Sequence, residues 1–180
     1  MHPRLAELSE RLAQHRRTLL DTASTVPTSQ WQTRPGEDQW SVSEILEHLY
    51  RVEHGTAAML GKRIAEARAA GHPEETETDS VLGTLDEFRV SQLDRKLVSP
   101  DRVKPTENPD RETVERLLTE SRAALEAAMA SGDGLALGSI RQMHRFGELD
   151  LYHWLLFVAE HEKRHTAQVR DVARQLVPTA

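Results

Sequence analysis

Leu5, Leu8, Leu12 and Leu19 recur at the spacing that lines side chains along one face of an α-helix. The pattern predicts a helix over 3–24, closed where Val26 precedes Pro27. The same period returns three times. Ile45, Leu46, Leu49, Val52, Met59 and Leu60 mark a helix over 42–70. Ser41-Val42-Ser43-Glu44 opens it as a capping box, and Gly71 with Pro73 stops it. Val114, Leu117, Leu118, Leu125 and Ala128 mark a third helix over 111–131, capped by Asp110 and stopped at Gly132. Leu151, Trp154, Leu155, Val158, Val169, Val172 and Leu176 mark a fourth over 150–176. A helix with one apolar stripe must bury it against another element. Four such helices in one chain predict an all-α fold, a four-helix bundle forming a single domain over 1–180.

The joints are uneven. Residues 72–109 are irregular, and Pro100, Pro105 and Pro109 exclude a long helix there. This Pro-rich segment is the expected crossover between the second and third helices. "VLGTLDEFRVSQLDRKLV" at 81–98 reads as either a short helix or an extended cover over the bundle. The glycine-containing stretch "SGDGLALGSIRQMHRFGE" reads as a connector into the last helix. Nowhere does the alternation of a strand ladder stand out.

Aromatic residues make up 4% of the chain, so the core is expected to be mainly Leu, Ala, Val and Ile. The net charge of -6 repels phosphates and argues against nucleic acid or an anionic membrane as partner. The absence of cysteine excludes disulfides, thiolate ligands and a cysteine nucleophile. The opening residues are too charged for a signal peptide, and the apolar run at 154–159 is too short to span a bilayer. A cytoplasmic protein is expected.

His161-Glu162-Lys163-Arg164-His165 matches the letters H-E-x-x-H. At about 100° per residue the two histidines lie one turn apart on one face, at the edge of the apolar stripe. A zinc protease would need a third ligand downstream. The remaining residues contain only Asp171 as an acid and no histidine. Glu162 lies about 100° around the helix from His161, so no catalytic role is assigned to it. His48 sits between Ile45, Leu49 and Val52 on the inward face of the second helix. Three inward imidazoles on two core helices form the usual protein share of an open metal site. Unpaired inside a bundle they would be costly. Of the others, His2, His15 and His72 lie in polar surroundings, His54 faces away, and His144 caps or packs. His153 is expected to pack rather than line a cavity. Trp40 and Trp154 are expected in the core, Arg164 at the surface, and Gln168 within reach of His165.

"QWSVSEILEHLYRVEHG" and "RFGELDLYHWLLFVAEHEKRHTAQV" resemble the second and last helices of the DinB-like superfamily. The first shows a Trp-Ser opening and an apolar-His-Leu core; the second shows a Phe-Gly turn, an apolar run and His-x-x-Arg-His-x-x-Gln. "SPDRVKPTENPDRETVERLLTESRAAL" resembles the family's Pro-rich crossover. The resemblance implies a four-helix bundle, often a homodimer, with a divalent transition metal held by three histidines. By matching position these are His48, His161 and His165, with zinc or nickel the expected metal. It also implies a cosubstrate role for a low-molecular-weight thiol, since characterised relatives include thiol-dependent S-transferases and the mycothiol-dependent maleylpyruvate isomerase. The expected function is metal-dependent thiol transfer to a small electrophile. The alternatives are a metal-dependent hydrolase and a non-catalytic metal- or small-molecule-binding bundle.

Overall fold

A computed structural model describes residues 1–93 and 98–177. Its scaffold is four helices: α1 (Pro3–Ser24), α2 (Val42–Ala69), α3 (Arg111–Ser131) and α4 (Leu151–Leu176). The expected signals start them. Ser41 Oγ accepts the Glu44 amide while the Glu44 carboxylate accepts the Ser41 amide, so two orphan donors of α2 are satisfied reciprocally. Asp110 Oδ1 accepts the Thr113 amide, and Asp150 Oδ1 the His153 amide, each at 2.8 Å. After α2 the chain turns at Gly71 with φ +69°, a conformation that favours glycine.

Contacts along the helices fix their directions. Arg4 lies over the Tyr152 ring, and Arg16 pairs with Glu162, so α1 and α4 run parallel. Ser41 meets Asn108, and Arg68 meets Ser131, so α2 and α3 also run parallel. His48, early in α2, meets His161, near the middle of α4, while Arg63, late in α2, reaches Arg141, which precedes α4, so these helices are antiparallel. Parallel neighbours joined in sequence need a long crossover. Residues 70–110 supply it, with 3₁₀ turns at Asp86–Phe88 and Asp101–Val103. Of the segment 81–98, residues 81–93 contain a short turn of helix rather than an extended strand, and 94–97 lie outside the described residues. The expected domain, 1–180, likewise extends over 178–180, which lie outside them.

The connector before α4 departs from the expectation of no strands. Arg141–His144 (β1) and Gly147–Asp150 (β2) pair as an antiparallel hairpin with His144 opposite Gly147. The scaffold is helical, and this hairpin is an addition to it. Its sequence is rich in charged and flexible residues rather than β-branched ones, and its Arg145-Phe146 turn has no Asn-Gly signal. The hairpin forms because it packs onto the bundle: Leu149 is buried, and Trp154 Nε1 donates to the Gln142 carbonyl. Among the described residues no helix is long and apolar enough to cross a membrane.

The core has two apolar blocks. One contains Leu12, Ala57, Leu125 and Ala159; the other contains Leu19, Leu49, Leu118 and Val169. Between these positions each helix contributes one buried charge: Arg16, Glu53, Arg122 and Glu162. Arg122 Nε bonds Glu53 Oε1 at 2.7 Å and its Nη2 bonds Glu162 Oε2 at 3.1 Å. Arg16 Nη2 bonds Glu53 Oε2 at 2.8 Å, and its Nε bonds Glu162 Oε1. The spare guanidinium nitrogens donate to the Leu118 and Leu12 carbonyls at 2.8 Å. The bundle is thus crossed by a closed ring of two cations and two anions.

Candidate metal centre

Three histidines converge beside that polar layer. His48 comes from the second turn of α2, and His161 and His165 from adjacent turns of α4. Their relative exposures are 2%, 9% and 4%, so all three are buried. His48 Nε2 lies 3.3 Å from His161 Nε2, which lies 3.0 Å from His165 Nε2. One nitrogen from each falls within 4.8 Å of the others, an arrangement that could hold a metal ion.

The protonation states suit ligation. Burial lowers the pKa of all three histidines below the ordinary value. At His48 the Val103 carbonyl opposes the shift; at His161 the neighbouring His165, His48 and Arg164 add to it. At His165 burial and His48 lower the pKa, against a small opposing effect of Gln168. Neutral imidazoles keep a lone pair for a metal. His48 Nδ1 donates to the Val103 carbonyl at 2.7 Å. That bond holds the proton on Nδ1 and leaves a bare Nε2 facing the other rings, the tautomer that a second shell sets for a ligand. His165 Nδ1 makes no hydrogen bond in good geometry, although Gln168 stands near it. The donor set, three buried borderline nitrogens, fits a divalent transition metal.

The crossover positions this ligand set. Glu47, next to His48, is 1% exposed. Its carboxylate accepts the amides of Thr106, Glu107 and Asn108 at 3.1, 3.1 and 3.2 Å, and Arg51 Nη2 at 2.7 Å. Burial would raise its pKa, but these donors hold it below the ordinary carboxylate range. Glu47 therefore ties the crossover to α2, and Val103, a few residues earlier, orients His48. Glu47→Gln should lower unfolding free energy by about 1–3 kcal/mol, the cost of leaving buried donors unmatched. Hydrogen exchange should quicken at residues 106–108; unchanged exchange there would refute the anchoring role.

Glu162 cannot act at the triad. Both of its oxygens are engaged, one by Arg16 and one by Arg122, on the interior side of α4. Arg164, expected at the surface, is 5% exposed because the crossover covers it, and its Nη1 donates to the Gln92 carbonyl. Lys163 is exposed.

A cavity of about 1170 Å³ opens onto the triad. Trp40 and Trp154, expected in the core, are half-buried and line it instead. Trp40 lies 5.1 Å from the His48 ring. Phe157 stacks on His161 at 5.2 Å. His144 packs 4.6 Å from Trp154 and 4.5 Å from Phe157, and burial, with Arg145 and Arg102, lowers its pKa to about 4. Its Nδ1 accepts the Phe146 amide, so the hydrogen of the neutral ring sits on Nε2. His153 does not line the cavity; its Nδ1 lies 2.8 Å from Asp150 Oδ2. Sequence reasoning missed the aromatic wall because its members come from two turns of α4, from the hairpin and from the loop before α2.

The family model described as the DinB superfamily matches residues 11–169. An uncharacterised protein of Bacillus subtilis (strain 168), YuaE, is 25% identical over 145 residues, covering 79% of this chain and 83% of its own length. No solved structure matches significantly.

Proposed function

Because this chain belongs to the DinB superfamily, we propose that His48, His161 and His165 hold a divalent transition metal and that the protein transfers a low-molecular-weight thiol to a small electrophile. The observation that carries this reading is the convergence of three neutral imidazole nitrogens on the floor of a large cavity, with the His48 tautomer fixed by Val103. Without a cation between them, one Nε2–H can satisfy one of the two contacts, and the other sets lone pair against lone pair. When bound, a divalent ion at this point supplies a Lewis acid that lowers the pKa of a thiol or water brought to it.

The chain's own residues define the rest. No cysteine exists to act as nucleophile, so a thiol must enter as cosubstrate. The cavity has room for two small molecules, since its volume of about 1170 Å³ exceeds that of ordinary ligand pockets, about 300–1,000 Å³. Trp40, Trp154 and Phe157 give it apolar walls that exclude water from the reacting groups. Hydrolysis is less well supported. A carboxylate base beside the triad would favour it, and the adjacent carboxylate, Glu162, is held by two arginines.

Gently purified protein should carry close to one transition-metal ion per chain by elemental analysis. A thiol such as 2-mercaptoethanol should then be transferred to 1-chloro-2,4-dinitrobenzene in a reaction that a chelator stops and zinc or nickel restores. Metal-replete protein that cleaves esters or amides but transfers no thiol would replace this reading with hydrolysis. Protein that takes up no metal would overturn it.

A further inference from the structure

His144 lines the cavity but belongs to neither the triad nor the ion ring. It ends β1, opposite Gly147 across the Arg145-Phe146 turn. Its half-buried ring is clamped on three sides, with centroids 4.9 Å from Phe146, 4.6 Å from Trp154 and 4.5 Å from Phe157. Phe157 stacks in turn on His161 at 5.2 Å, so the two imidazoles stand one aromatic ring apart on the same cavity wall. The Phe146 amide donates to His144 Nδ1 at 3.3 Å. That bond occupies the free lone pair of the neutral ring and leaves the hydrogen on Nε2. Among the described residues no nitrogen or oxygen accepts from Nε2, and the atom is not sealed in the interior. With the Nδ1 edge taken by the turn, the Nε2 edge is the one left for the cavity. Packing alone gives no reason for a histidine here: a phenylalanine would fill the place without the cost of an unpartnered, half-buried N–H.

We infer that His144 is a catalytic residue, its Nε2–H donating a hydrogen bond to the oxygen of the electrophile on which negative charge builds as the thiol sulfur attacks. The role rests on the thiol transfer proposed above and adds a residue to it. A donor fixed before the reaction stabilises developing charge without reorganising, and a neutral imidazole polarises an oxygen in this way. The ring is neutral because burial, with Arg145 and Arg102, lowers its pKa to about 4. The tautomer excludes the commoner role of a histidine. With Nδ1 taken by the Phe146 amide and a hydrogen on Nε2, the ring has no free lone pair to act as a base. The hairpin thereby gains a part in the site, since its turn supplies the amide that fixes the ring. With 1-chloro-2,4-dinitrobenzene, a sulfur lone pair forms the C–S bond while a ring π pair moves onto the nitro oxygens, where the Nε2–H meets it. Return of that pair breaks the C–Cl bond and releases chloride. The thiol proton goes to solvent, and the His144 proton stays on its nitrogen.

Three measurements on the full-length protein test this. Heteronuclear NMR of histidine-labelled protein, metal-free and zinc-loaded, should show His144 as the Nε2–H tautomer, its signals assigned by their loss in His144→Gln. Binding is read with acetophenone and with α-methylstyrene, which carries a methylene in place of the carbonyl oxygen. His144→Phe should weaken acetophenone binding about fivefold, the size of one neutral hydrogen bond, and leave α-methylstyrene unchanged. In turnover, His144→Phe should lower kcat for transfer of 2-mercaptoethanol to 1-chloro-2,4-dinitrobenzene by about 10²-fold, the cost of losing one such donor, with metal content retained. Transfer to benzyl chloride, where the charge departs on chloride and no oxygen receives it, should change little. His144→Gln sets an amide N–H near the place of Nε2 and should recover most of the loss, which a lost base would not allow. An Nδ1–H tautomer, acetophenone binding indifferent to His144→Phe, equal slowing of both electrophiles, or a His144→Gln protein as slow as His144→Phe would each overturn the inference. Tautomer and binding are read without turnover. If no thiol is transferred at all, the function proposed above fails, while those two readouts still decide whether His144 is a donor.

Discussion

Replacing His48, His161 or His165 by alanine, one at a time, should abolish stoichiometric metal binding. Each change removes one of three converging nitrogens from a site where their mutual spacing is 3.0–3.3 Å along the chain of contacts. Losing an outer-shell partner alone typically costs about 10–100-fold in affinity, so losing a ligand should cost ~10³-fold or more. The readout is metal content after dialysis, together with the melting temperature. Wild-type protein should gain stability on adding metal, as any ligand that binds only the folded state stabilises it. The three variants should gain almost none. In metal-free form they should lose little stability, because only one of the two contacts between the rings can be a hydrogen bond and the other sets lone pair against lone pair. His144→Phe is the control: His144 lies against the same cluster of rings but outside the triad, so metal content should be retained. Full metal occupancy in any of the three alanine variants would exclude that residue as a ligand.

The second large effect is expected away from the cavity, in the ring of Arg16, Glu53, Arg122 and Glu162. Glu53→Gln should destabilise the fold by about 3–5 kcal/mol, because it leaves two buried guanidinium groups with one carboxylate. Chemical denaturation measures it directly. Adding Arg122→Met should recover part of the loss, since an apolar side chain then replaces an unpaired charge. Burial alone would raise the Glu53 pKa, but Arg16, Arg122 and Ser121 hold it below the ordinary carboxylate range. A depressed folded-state pKa contributes stability that is present above the ordinary carboxylate value and disappears as pH falls through the folded-state value. The wild type should therefore lose this share of stability on acidification, and Glu53→Gln should lose less over the same range. A stability difference that does not narrow at low pH would contradict the ion-ring account. Glu162→Gln should behave alike: lower stability, with metal content retained when folded. That outcome separates the structural role of Glu162 from the one its place in H-E-x-x-H suggests.

The amino-acid sequence alone determined the four helices, because each carries its own period, cap and stop: Leu5 to Leu19 on α1, the Ser41–Glu44 box on α2, Asp110 on α3 and the Leu151 to Val172 stripe on α4. These are local rules, written within a few residues of where they act. The facing of His48, His161 and His165 was legible for the same reason, since angular position on a helix follows from spacing. The four ring charges went unread, although they sit among stripe residues: Arg16 between Leu12 and Leu19, Arg122 between Leu118 and Leu125. What spacing could not show is height. Whether Arg16, Glu53, Arg122 and Glu162 meet depends on how far each helix slides along its neighbours, which packing decides. The hairpin was invisible because its strands pair through backbone bonds and are held by the bundle, not by β-prone side chains. The cationic lining was hidden by averaging: a net charge of -6 says nothing of Arg102 and Arg145, which both line the cavity, one from the crossover and one from the hairpin tip. Burial of Arg164 and the aromatic wall, with Trp40 and Trp154 moved from core to cavity, came from the same covering segments. Their position is set by long-range contacts such as Glu47 with residues 106–108, and sequence separation carries no record of those.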